Sequence, residues 1–231
     1  MFCGFWAILM LITDMGTYTS AAWWIIIAGF LDGLDGKLAR LTRTSSKFGM
    51  EFDSLADLVS FGMAPALLIY RSELYKAGNW GIVVSFFFLL CGGIRLARFN
   101  TSVKGFKKEN FVGLPIPVAA GLLASFTLFH TNVLPVLGRL DFSLFLALAV
   151  SFLMVSTIEY SALPKIAIGG GFRENLRTGA FIGVCMAFIV FPDVSFFIVG
   201  SVYIVTGIYH RLHHPSSEEA VSIYTDRHGV P

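Results

Sequence analysis

The sequence predicts an all-α fold, a polytopic membrane helix bundle of about eight transmembrane helices. Three observations carry that prediction. Apolar residues make up 55% of the 231-residue chain and charged residues only 14%. Soluble domains carry roughly 25% charged residues, so this chain has too little polar surface to coat a water-soluble globule. The apolar residues, 23 phenylalanines among them, gather into runs near 1–16, 18–40, 50–70, 78–98, 115–132, 141–158, 178–192 and 193–209. Third, the basic residues alternate between the connections, as they do in a chain that crosses a bilayer repeatedly. A net charge of +2 gives no argument for a nucleic-acid partner.

Each run is expected to be a helix, because without water only a helix satisfies its own backbone polar groups within one segment. The first run, Met1 to Ile12, is shorter than the roughly 20 residues a span needs. It lacks the basic leader and small-residue cleavage site of a signal peptide, and its true start is expected upstream. The last two runs are divided only by Phe191-Pro192-Asp193-Val194, a tight turn signal. One set of loops holds Lys37, Arg40, Arg43, Lys47, Arg95, Arg98, Lys104, Lys107, Lys108, Lys165, Arg173 and Arg177, and the tail adds Arg211 and Arg227. The opposite loops hold only Arg71, Lys76 and Arg139. The basic loops and both termini are therefore expected in the cytoplasm. Residues 1–210 form the expected membrane domain, and 211–231, polar and containing Pro215, a cytoplasmic tail.

Several tempting features carry no chemistry. Cys3, Cys91 and Cys185 lie in apolar stretches with no CxxC pair, which suits buried thiols and not a disulfide framework. His210, His213 and His214 have no carboxylate or Cys at ligand spacing. Gly169-Gly170-Gly171 lacks the GK[ST] ending and the preceding strand of a phosphate loop. Lys104, Lys107 and Lys108 suit anionic lipid headgroups and topogenic charge equally.

The informative stretch runs from Asp32 to Asp57. Asp32 and Asp35 are three apart and share a helix face with Gly36 and Ala39; Asp53 and Asp57 are four apart and share a face of the next helix. A short connection makes the two helices antiparallel neighbours, so four carboxylates can converge at one end of the bundle. Carboxylates near hydrocarbon are costly, and a hard divalent cation bound by their oxygens offsets that cost. Two such ions would stabilise the attacking and leaving oxygens of a displacement at phosphorus. Gly36 and Ala39, the smallest residues on the stripe, leave room for a phosphate against the backbone. Arg40 supplies a planar donor fork suited to it. Two solvated acid pairs at interfacial helix ends are the bland alternative.

Asp32-Gly33-Leu34-Asp35-Gly36-Lys37-Leu38-Ala39-Arg40, with Gly49, Asp53 and Asp57, resembles the signature D-x-x-D-G-x-x-A-R-x8-G-x3-D-x3-D of the CDP-alcohol phosphotransferases. All eight defining positions are filled. The resemblance implies a membrane-embedded homodimer with a six-helix catalytic core, which transfers a phosphate-linked group from a CDP-alcohol to a hydroxyl and releases CMP. It implies Asp32, Asp35 and Asp53 as ligands of Mg²⁺ or Mn²⁺, in two ions. Asp57 would complete the metal shell and act as catalytic base. Gly36, Ala39, Arg40 and Gly49 would form the CDP-lipid site. The Pro-Asn-x-x-Thr type segment that usually starts the first span in that family is absent, which leaves the cytidine contacts of that helix unassigned.

Three further segments resemble the phosphatidylserine synthases of that superfamily: Arg95-Leu96-Ala97-Arg98-Phe99-Asn100, Phe111-Val112-Gly113-Leu114-Pro115-Ile116-Pro117 and, more loosely, Met154-Val155-Ser156-Thr157-Ile158-Glu159-Tyr160. That resemblance implies CDP-diacylglycerol and serine as substrates of an enzyme of phospholipid biosynthesis, in a prokaryotic plasma membrane. Arg95, Arg98 and Asn100 are candidates for the acceptor or its anionic group. Helix-end charge complementation is an equal reading of the two arginines, and a C-terminal cap of Asn100. Two alternatives stay open: the same chemistry on glycerol 3-phosphate or an inositol phosphate, and a divalent-cation transporter. A transporter would hold its acids near the bilayer midplane, whereas these lie at a helix end.

Overall fold

A computed structural model describes residues 1–13, 15–42, 47–102, 111–133, 140–160 and 192–213. Its helices are α1 (Phe2–Thr13), α2 (Tyr18–Thr42), α3 (Lys47–Asp57), α4 (Ala64–Ser72), α5 (Asn79–Ser102), α6 (Ile116–Asn132), α7 (Leu140–Val155) and α8 (Pro192–His213). A π-helical stretch, Leu58–Met63, joins α3 to α4, and a 3-10 turn, Leu74–Ala77, leads into α5. One two-residue antiparallel pairing, β1 (Phe111–Val112) with β2 (Glu159–Tyr160), sets Phe111 opposite Tyr160 and Val112 opposite Glu159. The helical class predicted from sequence holds among the described residues. Two helices, Phe48–Ser72 and Asn79–Thr101, are long and apolar enough to cross a membrane, and Phe2–Thr13, Leu140–Val155 and Asp193–Tyr209 are shorter apolar helices. Among the described residues these do not amount to the expected count of eight spans. The expected span 178–192, Cys185, the triple glycine, the loop lysines at 104–108 and the tail beyond His213 lie outside the described residues.

Helix α6 is the hub. It packs against α2 on one side and α8 on the other, and α5 pairs with α7. Ala119, Ala120 and every residue from Leu122 to Leu128 are buried, as expected of a helix that is apolar all round. Its hydroxyls are satisfied within the helix: Ser125 donates to the Leu122 carbonyl at 3.0 Å and Thr127 to Leu123 at 3.1 Å. The Phe126 ring meets His130, Phe142 and Phe197 with centroids 5.0–5.7 Å apart. Inside a bilayer such close packing, not exclusion of water, drives helix association.

Small residues set the closest approaches. A Cβ on Gly4 of α1 would lie 2.5 Å from the Ser60 Cα, so α1 rests on the backbone of the π-helical stretch. That stretch has a local cause. Pro65 carries no N–H and its ring would clash with the carbonyl four residues earlier in a regular helix. The chain widens instead, and the Ala64 N–H reaches back five residues to the Val59 carbonyl. The wide turn starts directly after Asp57, and turns of this kind recur at functional sites.

At the opposite end, Gly81 opens α5 beneath the 3-10 turn. A Cβ there would collide with the Leu74 main-chain carbonyl, and that atom belongs to backbone, which cannot swing aside. Gly81→Ala is expected to destabilise the bundle by about 1–3 kcal/mol, read as a lower melting temperature in detergent. An unchanged melting temperature would refute this account of the turn.

Candidate active site

Asp32 lies two-thirds along α2, Asp53 mid-way along α3 and Asp57 at its end. Asp53 and Asp57 are one turn apart on one face of α3, and one carboxylate oxygen from each of the three lies within 4.8 Å of the others. Asp32 and Asp57 are half-buried and Asp53 is exposed. Three like charges this close repel one another. The donor set is entirely carboxylate oxygen, so the residues present fit a hard divalent cation. Asp35, a turn beyond Asp32, is exposed and lies outside this three-carboxylate group.

The face beside the cluster is open. A Cβ at Gly33 or Gly36 would meet nothing within 4 Å among the described residues, and Gly49 is exposed one turn before Asp53. Ala39 and Arg40 are on the last turns of α2; their side chains lie outside the part described.

Helix α5 supplies the other flank. Arg95 is only 7% exposed, its Nε has no hydrogen-bond partner among the described residues, and Asp57 is an electrostatic neighbour. A buried guanidinium with an unpaired donor is costly, and a bound anion would offset that cost. Arg98, one turn on, has a different engagement. Its Nη1 donates to the Val155 carbonyl at 2.8 Å, and its Nη2 to the carbonyls of Met154 and Ser156 at 3.2 Å. These belong to the last turn of α7, where carbonyls have no partner within the helix. Asn100 clasps α5 to α3: its Nδ2 donates to Ser54 Oγ at 3.0 Å and to Glu51 Oε2 at 3.2 Å.

The three segments singled out beyond the aspartates meet at this end. The Gly113 N–H bonds the Ile158 carbonyl at 2.8 Å and the Leu114 N–H the Leu153 carbonyl at 3.0 Å. Gly113 has φ +80°, and a Cβ on it would press on the Met154 carbonyl oxygen and on Arg98 Nη2. Sequence reasoning missed Ser54 and Glu51, which look like ordinary helix-surface polar residues, and the π-helical turn, for which Pro65 was the available signal.

Residues 1–158 match the family profile described as CDP-alcohol phosphatidyltransferase. The chain belongs to the CDP-alcohol phosphatidyltransferase family. The match ends after α7, so α8 lies beyond it. A Helicobacter pylori protein named CDP-diacylglycerol–serine O-phosphatidyltransferase is 38% identical over 194 residues, which cover 83% of this chain and 79% of that one. A Bacillus subtilis protein of the same name is 36% identical over 160 residues, 69% of this chain and 82% of that one. An archaetidylserine synthase of Methanothermobacter thermautotrophicus is 42% identical over 162 residues, 68% of this chain and 64% of that one.

Proposed function

We propose that this member of the family transfers the phosphatidyl group of CDP-diacylglycerol to the hydroxyl of L-serine, forming phosphatidylserine and CMP. The observation that carries the reading is the three-carboxylate cluster flanked by the buried Arg95. The relatives' names support the acceptor.

Asp32, Asp53 and Asp57, with Asp35 alongside, would hold Mg²⁺ or Mn²⁺, in two ions. Such ions, when bound, neutralise charge on the phosphoryl oxygens. The open strip of Gly33 and Gly36, with Ala39, Arg40 and Gly49, receives the CDP moiety. Asp57 takes the proton of the serine hydroxyl. The hydroxyl oxygen attacks the phosphorus that bears the diacylglycerol, the pyrophosphate P–O bond breaks, and CMP leaves with the electron pair on its phosphate oxygen. Arg95 meets the serine carboxylate, which lies only a few bonds from the reacting hydroxyl. A single buried guanidinium beside the base suits a monoanionic carboxylate better than a dianionic phosphate, because Arg98 is held by the end of α7. Asn100 fixes α5 against α3 and so holds Arg95 in line with Asp57.

The bundle of residues 1–210 would lie in a prokaryotic plasma membrane as a homodimer, with the carboxylates, both termini and the tail on the cytoplasmic side. The basic-residue asymmetry supports that orientation.

The deciding experiment is an acceptor screen on purified protein with CDP-diacylglycerol. Serine should give CMP and phosphatidylserine only with Mg²⁺ or Mn²⁺ present. Turnover with glycerol 3-phosphate or an inositol phosphate, and none with serine, would overturn the acceptor.

A further inference from the structure

We propose that Phe61, seated on Gly29 in the π-helical turn after Asp57, is the positioning residue that brings the carboxylates of α3 level with Asp32. The proposal rests on the reading of those three carboxylates as a metal site. It does not depend on which alcohol is the acceptor.

Helix α3 has little packing of its own. None of its described side chains is buried, and Phe48, Met50, Phe52 and Leu55 are exposed. Asn100 ties it to α5 through Ser54 and Glu51. The turn that follows α3 packs on α2, the helix that carries Asp32. In that turn Ser60, Phe61 and Gly62 are buried in succession, and each meets a different helix. Ser60 lies against Gly4 of α1. Phe61 Cε1 lies 3.7 Å from the place of a Cβ on Gly29 of α2. A Cβ on Gly62 would lie 2.9 Å from Leu89 Cδ1 of α5. The direction of α3 is therefore inherited from a turn gripped on three sides.

The register of the grip matches the acid cluster. Gly29 is one turn before Asp32 on α2, and Phe61 is one turn after Asp57. The seat of the ring and the meeting of Asp57 with Asp32 are thus neighbouring contacts between two antiparallel segments. With no side chain at position 29, the ring reaches the surface of α2 itself. Phe61 is 2% exposed, so it acts as a rigid spacer of fixed length between the two backbones.

The wide turn supplies the matching rotation. The bond from the Ala64 N–H to the Val59 carbonyl takes up one residue more than an α-helical turn does. Helix α4 is held by α1, α2 and α6. Against that fixed helix, α-helical closure of the same residues would swing α3 by about 100° and carry Asp53 and Asp57 away from Asp32. A hard cation tolerates only small displacements of its oxygens, so an error in this turn is felt first in metal binding.

The test uses the full-length protein in detergent with Mn²⁺ alone as the probe. Phe61→Leu keeps the position apolar and shortens the group that rests on Gly29. The expected result is Mn²⁺ binding weakened about tenfold, the scale for residues that orient metal ligands. Binding is counted from the free-ion signal in electron paramagnetic resonance. CMP release from CDP-diacylglycerol should fall alongside and recover in part as Mn²⁺ is raised. Phe126→Leu is the control, since Phe126 is equally buried but lies in α6 among rings of α7 and α8. It should lower the melting temperature about as much and leave Mn²⁺ binding at the wild-type level. Wild-type Mn²⁺ binding in Phe61→Leu would overturn the proposal. So would an equal loss in Phe126→Leu, which would mark a general effect of core damage. Should Phe61→Leu fail to fold, Phe61→Met, whose longer chain fills more of the space, is read against the same two outcomes. A wild-type protein that binds no Mn²⁺ would bring down the metal reading of the cluster and this proposal with it. A failure confined to the variants leaves the metal reading standing.

Discussion

Asp57→Asn is expected to lose transfer by roughly 10²–10⁴-fold, the usual contribution of a positioned general base, while CDP-diacylglycerol and metal binding are largely kept. The amide has nearly the shape of the carboxylate and still offers an oxygen, so α3 and the start of the π-helical turn are undisturbed. It cannot accept the proton of an alcohol. Of the three carboxylates that converge, Asp57 is the one with Arg95 as an electrostatic neighbour, where an acceptor carrying both a hydroxyl and a carboxylate can meet both groups. The measurement is CMP release under saturating substrates, beside direct binding of CDP-diacylglycerol. Turnover at the wild-type rate would refute the assignment of Asp57 as base. Loss of CDP-lipid binding along with activity would refute it in a different way, by showing a purely structural or metal-holding role.

Arg98→Ala is expected to damage stability more than chemistry. One guanidinium holds three carbonyls at the end of α7 and lies against Gly113. Hydrogen bonds to a charged group contribute about 1.5–3 kcal/mol each and do not add fully. A total loss of about 3–5 kcal/mol would lower the melting temperature by about 10 °C. Arg98→Lys should recover only part of it, because an ammonium is a point donor without the fork that spans successive carbonyls. Serine KM in the protein that remains folded should stay near wild type. A variant that melts like wild type but shows a tenfold higher serine KM would return Arg98 to the anion-binding role that its spacing from Arg95 suggests.

The contrast between these two arginines shows where sequence reading runs out. Arg95 and Arg98 are three residues apart on one helix and have the same side chain, so from sequence they form one pair with one function. In the folded chain Arg95 is buried toward Asp57, while Arg98 reaches carbonyls more than fifty residues away. No local pattern contains that difference, because the ends of α7 and the Gly113 turn come from distant parts of the chain. Asn100 is a similar case. A cap or an acceptor contact fits its position in α5, yet its amide closes on Ser54 and Glu51 of α3.

By itself the sequence determined the helical class, the family and the acid cluster. Helical periodicity and spacing dictate which residues share a face, and the two aspartate pairs needed only a short connection to be brought together. It did not determine how the cluster is completed. That Asp35 stands outside the three converging carboxylates, that a widened turn begins at Asp57, and that Arg98 belongs to the end of α7 are all results of the folded chain and not of any one local pattern. Periodicity is a property of one helix. The angle and height at which two segments meet depend on small residues such as Gly4 and Gly81 and on what fills the space opposite them, which only the tertiary structure decides.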